Sequence, residues 1–401
     1  MPPVAEGETA APQATLAPPP RPTVAERLRA APLTFVIVAV NVIVFFVAEH
    51  HGKTTEVATL LRFGASERYH VWVGQPWRLA TSMFLHIGFM HLAWNTYGGL
   101  GWSWRVEKAL GSARFLVLYL ASGIAGSALS VLGRSVVSAG ASGALFGLIG
   151  AELVIRWRTF PGWTEFVNDR GVRSILTSIL IWGIIGATAL KMDNLAHFGG
   201  LSAGVLVAAA MLVPRGPTAR RVAAVCAGVA LGVLVTAAAH PRWRESRDRE
   251  PVYAWAMRSA FGNPAMRDVR LAKAFGERAC TFGVKEGCVA LASALVTETG
   301  NPAEQRRGVE LYRDGCHRGD VLACAQLGIL PPALGGDDRA GILRSYKKYC
   351  EDGNLDTCAA AGFIRLHTAD SAEERQLGAD GLRSACDLGN QLACWLDGRA
   401  Y

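Results

Sequence analysis

Seven apolar stretches between Pro32 and Ala239 constrain this chain more than any other feature. They run over 33–50, 81–101, 113–133, 138–156, 174–190, 194–213 and 221–239, each long enough, or nearly so, to cross a hydrocarbon layer about 30 Å thick. Backbone amides in lipid have no water to bond, so a spanning segment must satisfy its own, and segments of this length do so as α-helices. The expectation is an all-α, polytopic bundle of seven membrane helices. With 51% hydrophobic and 18% charged residues, the chain is too apolar for an ordinary soluble protein. Gly143 with Gly147, and Gly200 with Gly204, form G-x-x-x-G pairs that let helix backbones approach closely. Such pairs speak for tight packing, not for chemistry. The Pro- and Ala-rich start reads as a disordered tail over 1–30. It lacks the basic segment and apolar run of a cleavable signal peptide.

Loop charge sets the orientation. With the N-terminus inside, the inner segments near the helices hold 13 Lys and Arg, and the outer loops before the seventh helix hold 6. The N-terminus is therefore expected in the cytoplasm, and seven crossings place everything after about His240 outside. The basic run Arg242–Arg249 then lies on the outer side, where long translocated segments largely escape the rule. The formal charge of +8 reads as this topology. No aromatic residues interleave with a basic stripe, which argues against nucleic acid as a partner.

In this topology the second, fourth and sixth helices all start outside, so their N-terminal halves share one depth. His86, His91 and Asn95 fall there on the second, Ser142 on the fourth and His197 on the sixth. Polar groups at membrane depth are costly and commonly mark function. A lone membrane serine is more often a silent residue bonded back to its own helix, and a lone histidine is as readily a packing or transport residue. The joint pattern outweighs both readings, because a hydroxyl and an imidazole are a nucleophile and a base, the minimum for acyl transfer. His91 and Asn95 lie about 40° apart around a helix, so they share a face, and both can donate to an oxyanion. The N–H of Ser142 adds a third donor, with glycines such as Gly140 permitting an unusual turn before the helix. His86 is about 140° from His91 on a helix and is expected at the membrane surface. Phe146, four residues after Ser142, is placed to stack on His197. Asp193 lies one turn before His197, but no acid sits beside it, so the expectation is a Ser–His dyad oriented by packing. A proton-coupled transporter would carry buried carboxylates, and Glu152 is the main one in these segments.

Residues 33 to 240 resemble the rhomboid family of intramembrane serine proteases. Gly140-Ala141-Ser142-Gly143 is similar to that family's G-x-S-G motif, and Ala196-His197-Phe198-Gly199-Gly200 to its A-H-x-G-G motif. His86, His91 and Asn95 match its H-x4-H-x3-N pattern, Trp77-Arg78 its W-R pair, and Glu107 with Gly111 its E-x3-G. The resemblance implies a six-helix core plus one further helix. It implies Ser142 as nucleophile, His197 as general base, and an oxyanion hole of His91, Asn95 and the Ser142 amide. It implies single-pass membrane proteins as substrates, often with a small residue before the cut. Phe146 stands where some members have tyrosine, and only the ring is needed for stacking.

Eight of the nine cysteines follow one pattern, C-x2-G-x4-C, four times. The leading cysteines, Cys280, Cys316, Cys350 and Cys386, are 36, 34 and 36 residues apart, a period that signals a solenoid. Each unit reads as an α/α-hairpin whose first helix ends near the leading Cys, with Gly283, Gly319, Gly353 or Gly389 as a left-handed cap. Bridges Cys280–Cys288, Cys316–Cys324, Cys350–Cys358 and Cys386–Cys394 would staple the corners, each contributing roughly 2–3 kcal/mol. Bridges persist outside the cytosol, the compartment that the loop charges independently give. Zinc sites space close cysteine pairs more tightly than this, so no metal is expected. Cys226 is read as a small apolar side chain in the seventh helix. The region from 252 to 401 resembles Sel-one-like repeats, relatives of tetratricopeptide repeats, which implies a binding or scaffold role; a passive spacer is the other reading.

The expected organisation is a tail over 1–30, a rhomboid-like transmembrane protease domain over 31–240, a linker over 241–255 and disulfide-stapled Sel-one-like repeats over 256–401. The expected setting is a bacterial inner membrane, N-terminus cytoplasmic and repeats periplasmic or extracellular. The expected partners are the bilayer, membrane-protein substrates and an extracytoplasmic protein held by the repeats; no cofactor is expected. The alternative is a catalytically silent rhomboid-like chaperone or adaptor for client helices.

Overall fold

The computed structural model describes residues 23–72, 74–133, 137–188, 192–212, 216–239, 256, 259–261, 268–297, 301–334 and 339–397. The expected linker over 241–255 and most of the expected tail lie outside the described residues. Among the described residues the structure is helical, with no strand and one isolated bridge between Ser66 and Ser138. The first part holds α1 (Val24–Ala30), α2 (Pro32–His51), the short α3 (Val57–Arg62), α4 (Arg68–Trp72) and α5 (Arg78–Thr81), then α6 (Gly88–Leu110), α7 (Ser112–Gly133), α8 (Ser142–Trp157), α9 (Trp163–Asn168), α10 (Arg170–Thr188), α11 (Asn194–Leu212) and α12 (Pro217–Ala239). Helices α2, α7, α11 and α12 are long and apolar enough to cross a membrane by themselves. The other three apolar stretches correspond to α6, α8 and α10.

Of the boundaries that differ from those read in the sequence, three have a clear local cause. Residues 24–30 are helical rather than disordered, because Thr23 and Glu26 close a reciprocal capping box at the start of α1. The second stretch starts its helix at Gly88, not 81, since Leu85 and Ile87 are extended and Gly88 has φ +73°. The fourth starts at Ser142, not 138, because Ser138 is paired with Ser66 and Gly140 has φ +144°.

Two devices tie the bundle together. The first is Glu107, fully buried near the end of α6. Its carboxylate accepts from the N–H groups of Leu33 (3.0 Å) and Thr34 (2.7 Å), the Thr34 hydroxyl (2.7 Å) and the Ser112 hydroxyl (2.7 Å). A negative group thus satisfies orphan donors at the start of α2, and Gly111 (φ +80°) turns the chain into α7. The second device is a glycine seam. A β-carbon on Gly200 or Gly204 of α11 would overlap the carbonyls of Gly143 or Gly147 on α8, so the two backbones touch, as the paired G-x-x-x-G spacing predicts. Gly126 of α7 faces the same seam, where a β-carbon would lie 2.6 Å from the Ala196 carbonyl oxygen. Helix α8 buries Ala144, Leu148, Ala151 and Val154 beside its glycines. Its Glu152 pairs with Arg156 one turn on (2.9 Å), roughly 15 Å along the helix from Ser142.

The rest forms helical hairpins: α13 (Val269–Thr281) with α14 (Lys285–Thr297), α15 (Pro302–His317) with α16 (Val321–Ile329), α17 (Arg339–Glu351) with α18 (Leu355–Thr368), and α19 (Ala372–Asp387) with α20 (Gln391–Leu396). Each corner carries the bridge read from the sequence, Cys280–Cys288, Cys316–Cys324, Cys350–Cys358 and Cys386–Cys394. Gly283, Gly319, Gly353 and Gly389 take φ values of 74° to 90° there, so the glycine in C-x2-G is the left-handed residue that lets the first helix stop. Side chains of Asp268, Asn301, Asp320, Asn354 and Ser371 cap the helices that follow them.

The seam predicts an asymmetric response to one added methyl. Gly204→Ala, on the seam, is expected to destabilise the bundle by about 1–3 kcal/mol or more. Gly228→Ala on α12, where a β-carbon meets nothing within 4 Å, is expected to be neutral. Thermal unfolding of both variants in detergent checks this.

Candidate active site

The starts of α6, α8 and α11 converge at one end of the bundle. The seam holds the backbones of α8 and α11 so close that their first-turn side chains meet. Ser142, the first residue of α8, lies with Oγ 2.9 Å from Nε2 of His197, on the first turn of α11. His197 is buried, and its ring stacks on Phe146 with centroids 4.3 Å apart and planes 9° apart. Its Nδ1 has no hydrogen-bond partner among the described residues. Packing therefore orients the imidazole, with no third acid bonded to it. For the hydroxyl to donate to Nε2, the neutral ring must carry its proton on Nδ1.

Asp193 acts on the backbone rather than the ring. Its carboxylate accepts from the Ala196 N–H (3.1 Å) and from the Ser130 hydroxyl, and its carbonyl accepts from the His197 N–H (3.1 Å). It caps α11 and ties the turn bearing His197 to α7. The capping position of Asp193 is visible in the sequence; Ser130, one small polar residue in an apolar helix, carries no signal there.

Three groups able to donate line the same cavity as the hydroxyl. Nδ1 of His91 accepts the Ile87 N–H (3.3 Å), so the proton of the neutral ring sits on Nε2. That edge points toward Gly140, where an added β-carbon would lie 3.0 Å from Nε2 and 2.7 Å from Cε1. Asn95 gives one amide hydrogen to the His91 carbonyl (2.9 Å) and keeps a second. The N–H of Ser142 has no intrahelical acceptor, being in the first turn of α8, and the helix dipole there favours negative charge. Gly140 donates its own N–H to the Ser82 carbonyl (3.0 Å), which fixes the turn before Ser142.

A cavity of about 940 Å³ encloses these groups. Ser142, His197, His91, Asn95, Phe146 and Gly140 all line it. His86 does not. It is buried, with its ring 5.4 Å from that of His91, and the helical angle read for it does not apply, because residues 85–87 are off the helix. Most of the remaining wall is apolar, from Met90 and Trp94 of α6 to Ile175, Ile179 and Trp182 of α10, with Ser82, Ser127, Ser138, Ser178 and Asp193 among it. Trp94 and Trp182 meet edge to face at 6.0 Å between α6 and α10. Nothing in the sequence marks this wall, since apolar residues in an apolar helix all look alike. Chemically, the set can deprotonate a hydroxyl and hold an oxyanion beside a channel for an apolar chain. Among the described residues no cluster of His, Cys, Asp or Glu could hold a metal ion.

The helices that carry this site lie in the part of the chain that is similar to known proteins. Residues 73–214 match the Rhomboid domain family. The chain is 39% identical over 182 residues to rhomboid protease GluP of Bacillus subtilis (strain 168), a match covering 45% of this chain and 35% of that protein. It is 38% identical over 160 residues to RHOMBOID-like protein 5 of Arabidopsis thaliana, covering 39% of this chain and 51% of that one. The chain thus spans between about a third and a half of these relatives' own lengths. With its apolar helices, it is a multi-pass integral membrane protein.

Gly140→Ala tests the donor geometry. Its β-carbon would meet the His91 ring and needs a backbone angle that L-residues rarely adopt. Losing the His91 donor is expected to cut turnover by about 10²–10³-fold, with folding retained by circular dichroism.

Proposed function

From the premise that residues 73–214 make this chain a member of the rhomboid family, we propose that it is an intramembrane serine endopeptidase acting through Ser142 and His197. The observation that carries the reading is the 2.9 Å approach of the Ser142 hydroxyl to Nε2 of His197, at the bottom of a cavity that also holds oxyanion donors.

In this reading the Ser142 oxygen attacks a peptide carbonyl while its proton passes to Nε2 of His197. The carbonyl oxygen becomes an oxyanion bonded by Nε2–H of His91, the Asn95 amide and the N–H of Ser142. His197 then protonates the leaving amine, and an ester on Ser142 remains. Water, deprotonated by His197, attacks the ester and restores the hydroxyl. Phe146 holds the imidazole for both transfers, and Asp193 holds the turn that carries it. His86 supports the His91 ring from behind.

The substrate is the membrane segment of a single-pass protein, unwound at its end and admitted between α6 and α10, where Trp94 and Trp182 close the wall. In this reading the N-terminus is cytoplasmic in a bacterial inner membrane and the repeats are extracytoplasmic, an orientation that the loop charges and the four bridges support. The chain divides into a tail, a protease domain over 31–240, a linker and repeats over 256–401. The repeats recruit a substrate or partner through their helical surface. The silent chaperone reading is disfavoured because this chain keeps both the hydroxyl and the imidazole, in contact.

In liposomes with a single-pass reporter, Ser142→Ala and His197→Ala are each expected to lower cleavage by about 10⁴-fold or more. A wild-type chain that binds the reporter but leaves it uncut would support the chaperone reading instead. Removal of residues 252–401 is expected to slow a native substrate more than a generic one; equal slowing rejects recruitment.

A further inference from the structure

Helix α13, the first of the repeats, does not hang free of the bundle. Phe275 is fully buried, and its ring meets that of His70 in α4 edge to face at 5.6 Å. Around this contact Leu61, Tyr69 and Trp72 of α3 and α4 share one continuous apolar core with Ala256, Phe261, Leu271 and the rest of the repeats. The solenoid therefore sits on the segment 57–72, which links α2 to α6.

That segment is wired to the reactive end of the bundle by polar bonds. Arg68 donates to the carbonyls of Val131 (2.7 Å) and Leu132 (3.0 Å) at the end of α7, and Trp72 to the carbonyl of Ala238 (2.8 Å) at the end of α12. Buried Arg78 donates to the carbonyls of Leu61 (2.7 Å) and Ala65 (3.0 Å), holding the segment's fold. Burial lowers its pKa to about 10, still charged at neutral pH. Buried Glu67 accepts from the Tyr69 and His70 N–H groups and bonds the His70 ring at 2.9 Å.

Next to Glu67, Ser66 is the residue that pairs with Ser138: each N–H donates to the other's carbonyl, at 3.0 and 2.8 Å. Ser138 lies four residues before Ser142 and two before the Gly140 turn. Its neighbour Val137 touches both sides at once, packing against the core shared with the repeats and lining the cavity that holds Ser142. A continuous path thus runs from Phe275 through α4 and the Ser66–Ser138 pair to the turn that presents the hydroxyl.

We infer that Phe275 is a positioning residue for the proposed reaction: it seats segment 57–72, and through the Ser66–Ser138 pair it holds the Gly140 turn in register with His91 and His197. The inference rests on the proposed protease activity and gives the repeats a role in turnover distinct from recruitment. A displacement of about 1 Å at a reacting atom is enough to cost two orders of magnitude, so a looser seat lowers kcat. Substrate capture by the cavity between α6 and α10, remote from Phe275, is left alone.

The test uses the full chain in liposomes with a generic single-pass reporter that has no ectodomain for the repeats to hold. Phe275→Ala is expected to lower kcat about 10-fold with KM changed by less than about twofold. Phe275→Leu, which keeps an apolar side chain and guards against a variant that fails to fold, is expected to lose about threefold in kcat. Phe363→Ala, which opens the core of a later repeat, is expected to change neither constant. Unchanged kcat in both Phe275 variants, an effect confined to KM, or equal slowing by Phe363→Ala would each overturn the inference. A wild-type chain that leaves the reporter uncut would overturn the proposed activity itself.

Discussion

Backbone-to-backbone contact between α8 and α11 is the constraint on which the site depends. Side chains as short as those of serine and histidine span only a few ångströms, so the helices that carry them must approach more closely than helices separated by leucines. Glycine at 143, 147, 200 and 204 removes the atoms that would hold them apart, and Gly126 lets α7 join the same contact. Lipid gives helices little hydrophobic reason to associate. Packing without gaps and a few buried polar bonds, such as those of Glu107, supply it instead. The catalytic-looking pair is then a consequence of the seam: one hydroxyl and one imidazole on first turns that the glycines have brought together.

The same economy governs orientation within the site. Among the described residues, no carboxylate bonds the outer nitrogen of His197. A ring held flat against Phe146, on a turn capped by Asp193 and tethered to Ser130, has few ways to rotate. His91 is held differently, by the Ile87 N–H on one nitrogen and the neighbouring His86 ring. The irregular backbone between α5 and α6 supplies both. Backbone that leaves the helix at membrane depth is tolerated where it lines a cavity, and the segments 82–87 and 137–141 each contribute residues to this one.

Much of this was legible in the chain of letters because it obeys a period or a spacing. The apolar stretches gave the helices, G-x-x-x-G gave the seam, and C-x2-G-x4-C gave the hairpin corners down to the glycine that turns each one. His91 and Asn95 share a face because four residues nearly complete a helical turn. The failures share a cause as well. A helical angle does not describe His86, since Gly88 and the extended residues before it break the period. The helix at 24–30 does not stand out in the sequence, because a two-residue capping box is small against a Pro-rich background. The seating of α13 on α4 left no trace, because Phe275 and His70 are distant in sequence and each is unremarkable in its own helix.

Covalent labelling of the serine hydroxyl asks the central question most directly. A fluorophosphonate reacts with a serine only where a base removes its proton and donors hold the phosphoryl oxygen. Incubating the folded protein in liposomes with this probe, then locating the adduct by peptide mass spectrometry, is expected to place it on Ser142 and to lose it in His197→Ala. An unlabelled Ser142 in the folded wild-type protein, or labelling that persists unchanged without the imidazole, would contradict the account.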